Sequence, residues 1–343
     1  MFSLEQYRAL REQAGVVDRS ARGRLLLTGA DRRTYLQGLL TNDIEALTAG
    51  TGCYAALLTP QGRMLADMRV LELGDALAID VESATSALVR DKLEQFVFSE
   101  DVQVIDQTSS QGQVGVYGPE SAAMISGALA SRADTVPAPS TAQLQSMPVF
   151  ANGRWQFRGT TVTVVRSDDI GVPGFDLFID TARFADLLNA LRASGAVDVD
   201  AETTNVTRVE AGRPLFGTDM NEDTIPLEAG IDERAISLTK GCYVGQEIII
   251  RVLHRGHGRV ARRLIGLTLD GTAGVPAAGD HLRSGEREVG RVTSAVFSPS
   301  LDRAIALAYV HRDFQEPGTG VTVVTAPAEV SAIVTALPFV SPR

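Results

Sequence analysis

The sequence predicts an α+β fold that ends in an all-β domain, a small barrel or sandwich. Three observations carry that prediction. Before residue 211, apolar residues recur at helical spacing in several segments, interleaved with short β-branched runs. After Gly258 the runs are short, β-rich and parted by Gly, Asp, Ser and Pro, with little helical periodicity. The length of 343 residues exceeds one ordinary core, at roughly 100 to 200 residues per domain. The organisation expected is an α+β region over residues 1–258, with an internal loop boundary near 134–148 marked by Pro137-Ala138-Pro139-Ser140, and a C-terminal β domain over 259–343.

Each element has a local reason. Ser3 can cap a helix over 3–14, with Gln6 three residues on and Leu4, Tyr7 and Leu10 on one face. Arg24 to Thr28 reads as a strand closed by Gly29, and Asp31 to Leu40 as a helix that turns Tyr35, Leu36, Leu39 and Leu40 inward. Residues 52–73 read as a β-hairpin through the turn Thr59-Pro60-Gln61-Gly62, whose return strand carries Asp67 among apolar neighbours. Strands at 76–81 and 113–117 are accompanied by amphipathic helices near 84–98 and 119–130. Strand signals follow at 154–165 and 175–179, then helices from Thr181 to Ala193 and from near Ala201 to Glu210, the latter terminated by Gly212 and Pro214. In the terminal domain the strands expected are 264–269, 288–296, 304–309 and 321–324.

Composition excludes several classes of function. With 44% hydrophobic and 22% charged residues, and no apolar run near the ~20 residues of a membrane helix, membrane insertion is not expected. The N-terminus lacks the basic start and apolar core of a signal peptide, so the expected location is the cytoplasm. A net charge of -10 argues against direct nucleic-acid binding. Neither a disulfide nor structural zinc is expected from Cys53 and Cys242, and His254, His257, His281 and His311 form no metal set.

Three constellations carry possible chemistry. Lys240-Gly241-Cys242-Tyr243-Val244-Gly245-Gln246-Glu247 places a thiol between glycines and beside a cation, which favours the nucleophilic thiolate. Glu210, at the end of its helix, can accept paired N–H donors from an amidine-like heterocycle edge or can pair with Arg208 or Arg213. Asp67 can act as a general base if it faces a cavity, or pair with Arg69 on the same strand face. A dense cationic run of Arg251, His254, Arg255, His257, Arg259, Arg262 and Arg263 is either a solvated edge or a site for an anionic ligand tail.

Several of these segments together resemble one family: the folate-binding YgfZ-type iron-sulfur cluster maintenance proteins, relatives of the glycine cleavage T-protein, an aminomethyltransferase. The resemblance runs through Gly15 to Ser20, Leu40 to Asp43, Gly62 to Asp67, Arg208 to Gly212, Pro226 to Gly230 and Phe297 to Leu301. Lys240 to Glu247 matches the YgfZ-type Lys-Gly-Cys-aromatic-X-Gly-Gln-Glu motif, which T-proteins lack. The resemblance implies a three-domain ring with a central cavity for tetrahydrofolate or a one-carbon-substituted folate, and a C-terminal β-barrel. It implies that Glu210 holds the pterin, that Asp67 sits at the catalytic position with Tyr54 near the folate, and that Cys242 is the functional thiol. Lys240 and Arg251 complete the candidate folate-binding set. Where the T-protein has paired aspartates this chain has Ala66-Asp67. The function implied is a tetrahydrofolate-binding accessory role in iron-sulfur cluster assembly or repair, with [4Fe-4S] enzymes, tRNA-modifying ones included, as clients. The alternative is a folate-dependent aminomethyltransferase or other one-carbon transferase. For Ile248-Ile249-Ile250, β-branching argues for a strand and the resemblance for a helix beginning near Gly245; the helix is the expectation.

Overall fold

In the computed structural model, which describes residues 2–130, 137–254, 258–270, 274–325 and 328–341, three β assemblies account for the strands. The first is a five-stranded antiparallel sheet in the spatial order Thr51–Leu58, Met64–Glu72, Leu77–Val81, Gly23–Thr28, Gln103–Asp106. Alternation sorts its side chains: Ala55, Leu57, Ala66, Met68 and Val70 enter an apolar core under the helices Arg32–Leu39 and Ser83–Gln95. Tyr54, Asp67, Arg69 and Asp80 lie on the opposite face.

The second sheet has six strands, ordered Val197–Asp198, Gly15–Asp18, Gln111–Tyr117, Gly174–Asp180, Thr160–Ser167, Asn152–Phe157. Val114, Val116, Phe175, Leu177 and Ile179 pack beneath the helices Ser121–Leu129 and Thr181–Ala193. Its other face carries Gln113, Tyr117, Asp176 and Phe178. Two contacts show that this face meets the first sheet: Gln113 donates to Asp80 at 3.3 Å, and Phe178 packs with Leu71. The two sheets therefore turn polar faces toward each other and keep helices outside. Burying charge there is tolerable only because the charges are paired and hydrogen-bonded.

The third assembly is a closed six-stranded barrel formed by Arg262–Leu269, Arg303–His311, Arg287–Ser298, His281–Ser284, Gly320–Val324 and Glu329–Thr335. Its interior is filled by small and β-branched residues such as Ala304, Ala306, Ala308, Val292 and Val323. The helices Leu4–Glu12 and Ala201–Glu210 pack against its outside through Tyr7, Val206 and Val209. The expected α+β fold with a terminal barrel is what the chain adopts.

Some local readings change and one contested reading holds. The run 154–165 is a hairpin rather than one strand, because Arg158 and Gly159 take φ of 50° and 78° and make a tight turn. Strands Gly15–Asp18, Gln103–Asp106, Val197–Asp198, His281–Ser284 and Glu329–Thr335 escaped prediction; the last fully buries only Ala332 and Val334. Ile248 to Ile250 are helical, as expected, within Gln246–His254, where fully buried Ile249 joins a cluster with Tyr243 and Met64. Burial outweighs β-branching there. Arg255 and His257 of the cationic run lie outside the described residues, as do 131–136 at the start of the expected loop boundary.

Candidate functional site

The facing sheets, the first half of helix Ala201–Glu210 and the segment around Arg213 enclose a cavity of about 580 Å³. That is the size range of small-molecule sites, roughly 300 to 1,000 Å³. Asp67 and Tyr54 line it together. They come from adjacent antiparallel strands, in which Ala56 pairs with Asp67 and Tyr54 with Arg69, so both side chains project from one face. A register shift between Leu57 and Leu58 puts Leu65 out of pairing, two residues before Asp67. Such a bulge re-aims the strand that follows it.

Tyr54 Oη donates to Asp67 Oδ2 at 2.6 Å, whereas Asp67 Oδ1 is buried without a hydrogen-bond partner. Burial and the Asp67 charge push the Tyr54 hydroxyl well above its ordinary range, so it remains a donor. The carboxylate is thus held by one oxygen and unpartnered at the other. Ala66, at the first position of the resembled aspartate pair, is fully buried in the apolar core on the other face, so its lack of a carboxylate takes nothing from the cavity. The pairing of Asp67 with Arg69 that the sequence allowed is not made. Arg69 instead binds Asp80 and Asp169, with Nε 3.1 Å from Asp169 Oδ1.

Behind these residues lies a buried ionic layer. Arg22 Nε donates to Asp80 Oδ1 at 2.6 Å, and Arg19 reaches Asp169, Asp176 and Tyr117. Burial opposes ionisation of Asp80, but the guanidiniums of Arg22, Arg69 and Arg19 hold it far below the usual carboxylate range. At the cavity wall Arg234 stacks 5.0 Å from the centre of the Tyr54 ring. Sequence reasoning missed Arg19, Arg234 and Asp169 as site residues. Arg19 lay within the resembled segment Gly15 to Ser20 but was not singled out.

Glu210 is placed elsewhere. Its side chain is 0% exposed and does not line the cavity. Tyr7 Oη donates to its two oxygens at 2.9 and 2.8 Å, Ser298 Oγ donates at 2.5 Å, and Arg11 forms its ion pair. The carboxylate ties the N-terminal helix to the barrel and has no open oxygen for a pterin. The intramolecular ion pair was one of the two sequence readings, but its partner is neither Arg208, which binds Asp219, nor Arg213, which binds Asp168.

Lys240 is likewise committed. Its Nζ donates to the carbonyls of Gln37, Leu40 and Asn42 at 2.5, 2.6 and 3.0 Å, capping the end of helix Arg32–Leu39. Gly245, at φ 83°, lies against the hairpin turn, where a Cβ would meet Thr59 O at 2.5 Å. These contacts dock Lys240–Glu247 on the first sheet. Cys242 itself is exposed and does not line the cavity, and neither does Arg251, which is exposed on its helix. The structure brings Tyr54 and Asp67 together and leaves the thiol outside.

The two cysteines differ in a measurable way. Burial pushes the Cys53 thiol up to about 12, with Lys240 opposing. At pH 8 that leaves on the order of 10⁻⁴ of it as thiolate, the reactive form. A disulfide exchange reagent is expected to label one equivalent rapidly, at Cys242, with Cys53 slower by about 10³-fold or more. Cys242→Ser should remove the fast phase; two fast equivalents would refute the assignment.

Comparison with known proteins bears on the whole chain. Residues 2–240 match the GCVT N-terminal domain family, and residues 262–341 match the glycine cleavage T-protein C-terminal barrel domain. The aminomethyltransferase of Streptomyces coelicolor is 30% identical over 98% of this chain and 88% of its own length. That of Thermosynechococcus vestitus is 30% identical over 98% and 87%. The crystal structure of the glycine cleavage system aminomethyltransferase T from Bartonella henselae superposes with a TM-score of 0.87 at 23% identity, covering 99% of this chain and 90% of that one. The last likeness establishes the shared fold.

Proposed function

The chain belongs to the glycine cleavage T-protein family, and on that premise we propose that it binds tetrahydrofolate in the central cavity and transfers a one-carbon unit of the aminomethyl type to it. The observation that carries this reading is the unpartnered Oδ1 of Asp67, buried in a cavity wall and held in place through Tyr54. A reduced folate fits that arrangement, since it presents N–H donors to a carboxylate acceptor and its size suits the cavity. The folate supplies two amine nitrogens that take up a methylene group. Asp67 accepts an N–H of the bound ligand and takes its proton as nitrogen attacks the aminomethyl carbon. Tyr54 fixes the carboxylate, and the sheets on either side keep bulk water away. The balance closes: a carrier-bound S–CH₂–NH₂ group and two folate N–H groups yield a free thiol, ammonia and a methylene bridge.

A second reading has its own observation. Lys240 is anchored by three carbonyl contacts, yet the segment it begins presents Cys242 to solvent away from the cavity. That suits a YgfZ-type accessory protein in which folate binding and an exposed thiol serve iron-sulfur assembly or repair. One assay separates the two. The protein is incubated with tetrahydrofolate and an aminomethyl-loaded carrier protein, and ammonia and methylene-tetrahydrofolate are followed. Turnover that survives Cys242→Ser supports the transferase. Absence of turnover in wild type, with loss of iron-sulfur enzyme activity in Cys242→Ser cells, supports the accessory role.

A further inference from the structure

Most cations in the cavity wall have a carboxylate of their own. Arg19 and Arg69 share Asp169 and reach Asp176 and Asp80 respectively; Arg208 has Asp219. Arg213 and Arg234 differ, because both depend on Asp168. Arg213 Nη2 donates to Asp168 Oδ2, whereas Arg234 Nη2 stands 3.7 Å from Oδ1, beyond hydrogen-bond range. Asp168 Oδ1 is buried and accepts no hydrogen bond. Two guanidiniums facing one carboxylate leave a local positive excess at that part of the cavity wall. Burial and the neighbouring Arg234 charge both disfavour the charged form of Arg213, with Asp168 opposing, as expected where two like charges share one counter-ion.

The place of that surplus is informative. Arg234 stacks on the Tyr54 ring, and Tyr54 in turn holds Asp67. The guanidiniums and the unpartnered carboxylate thus line one cavity, with the Tyr54 ring between Arg234 and Asp67. In a reduced folate an aminobenzoyl group likewise stands between the one-carbon nitrogens and the glutamate carboxylates. A guanidinium fork matches a carboxylate with two parallel N–H donors. We propose that Arg213 and Arg234 form a carboxylate subsite that receives the glutamate tail of the folate, an inference that rests on the folate reading above. Arg251, the cation expected for an anionic tail from sequence, does not line the cavity; these two do.

The test is titration of the full-length protein with tetrahydrofolate and with tetrahydropteroate, which lacks the glutamate. Wild type is expected to favour tetrahydrofolate by roughly 10-fold or more, the scale of a charge-assisted hydrogen bond. Arg213→Gln and Arg234→Gln should each reduce that preference to a few-fold while leaving tetrahydropteroate affinity nearly unchanged. Asp168→Asn should raise the preference, because it removes the competing carboxylate; a merely disrupted wall would move it the other way. Equal binding of the two ligands by wild type overturns the subsite and leaves the folate reading standing. A loss of affinity for both ligands in equal measure, in either arginine variant, also overturns it. Failure of wild type to bind either ligand overturns the folate reading itself.

Discussion

Asp67→Asn is expected to lower aminomethyl transfer by about 10²- to 10⁴-fold, the contribution of a positioned proton acceptor, while tetrahydrofolate affinity stays within a few-fold of wild type. The substitution is nearly isosteric. The introduced amide would still accept the Tyr54 hydroxyl through its carbonyl oxygen, so the strand face and the cavity wall keep their shape. What it removes is the charge on the oxygen that now stands without a partner. Tyr54→Phe is expected to act more mildly, by about 10-fold, because it frees the carboxylate to rotate without abolishing it. Steady-state turnover alongside a folate titration checks both. Near-wild-type turnover in Asp67→Asn would remove the carboxylate from the chemistry and return weight to the exposed thiol.

The hairpin that carries the candidate site was legible from local geometry, whereas Tyr54 was singled out only by the family resemblance. Asp67 and Tyr54 lie on the two arms of one hairpin, which the turn residues and the alternation make legible; the bulge at Leu65, whose one-residue register shift brings both side chains to one face, is not. Glu210 was misassigned for a reason that is not local. Its partners Tyr7 and Arg11 lie 203 and 199 residues away, a separation no spacing rule addresses. Arg213 and Arg234 were hidden likewise, since their shared partner Asp168 enters from a loop of the other sheet. Lys240 was read correctly as a cation beside a thiol in sequence, but in space its ammonium serves helix carbonyls and the thiol in its field is Cys53. Fold class was easier than function because it depends on summed periodicity, whereas a site depends on a few long-range contacts.

Glu210→Ala is the sharpest test of that correction, because the two placements of the carboxylate make opposite demands. In the structure the side chain is fully buried and accepts from Tyr7, Ser298 and Arg11, joining the first helix to the barrel. Removing it leaves two hydroxyls and a guanidinium facing an apolar methyl group. Breaking a buried pair costs roughly 3 to 5 kcal/mol, and the lower figure applies here because the Arg11 side chain keeps 16% of its exposure. A lowered denaturant midpoint is therefore expected, with tetrahydrofolate affinity of the folded protein nearly unchanged. Arg11→Met should be destabilising too, and the double variant Arg11→Met/Glu210→Ala should lose less than the sum of the two, since neither partner is then left charged and alone. A pterin-holding glutamate would show the reverse: weakened folate binding at an unchanged midpoint, and simple additivity with Arg11→Met. That second pattern would place Glu210 back in the cavity and break the link between the first helix and the barrel on which its present assignment rests.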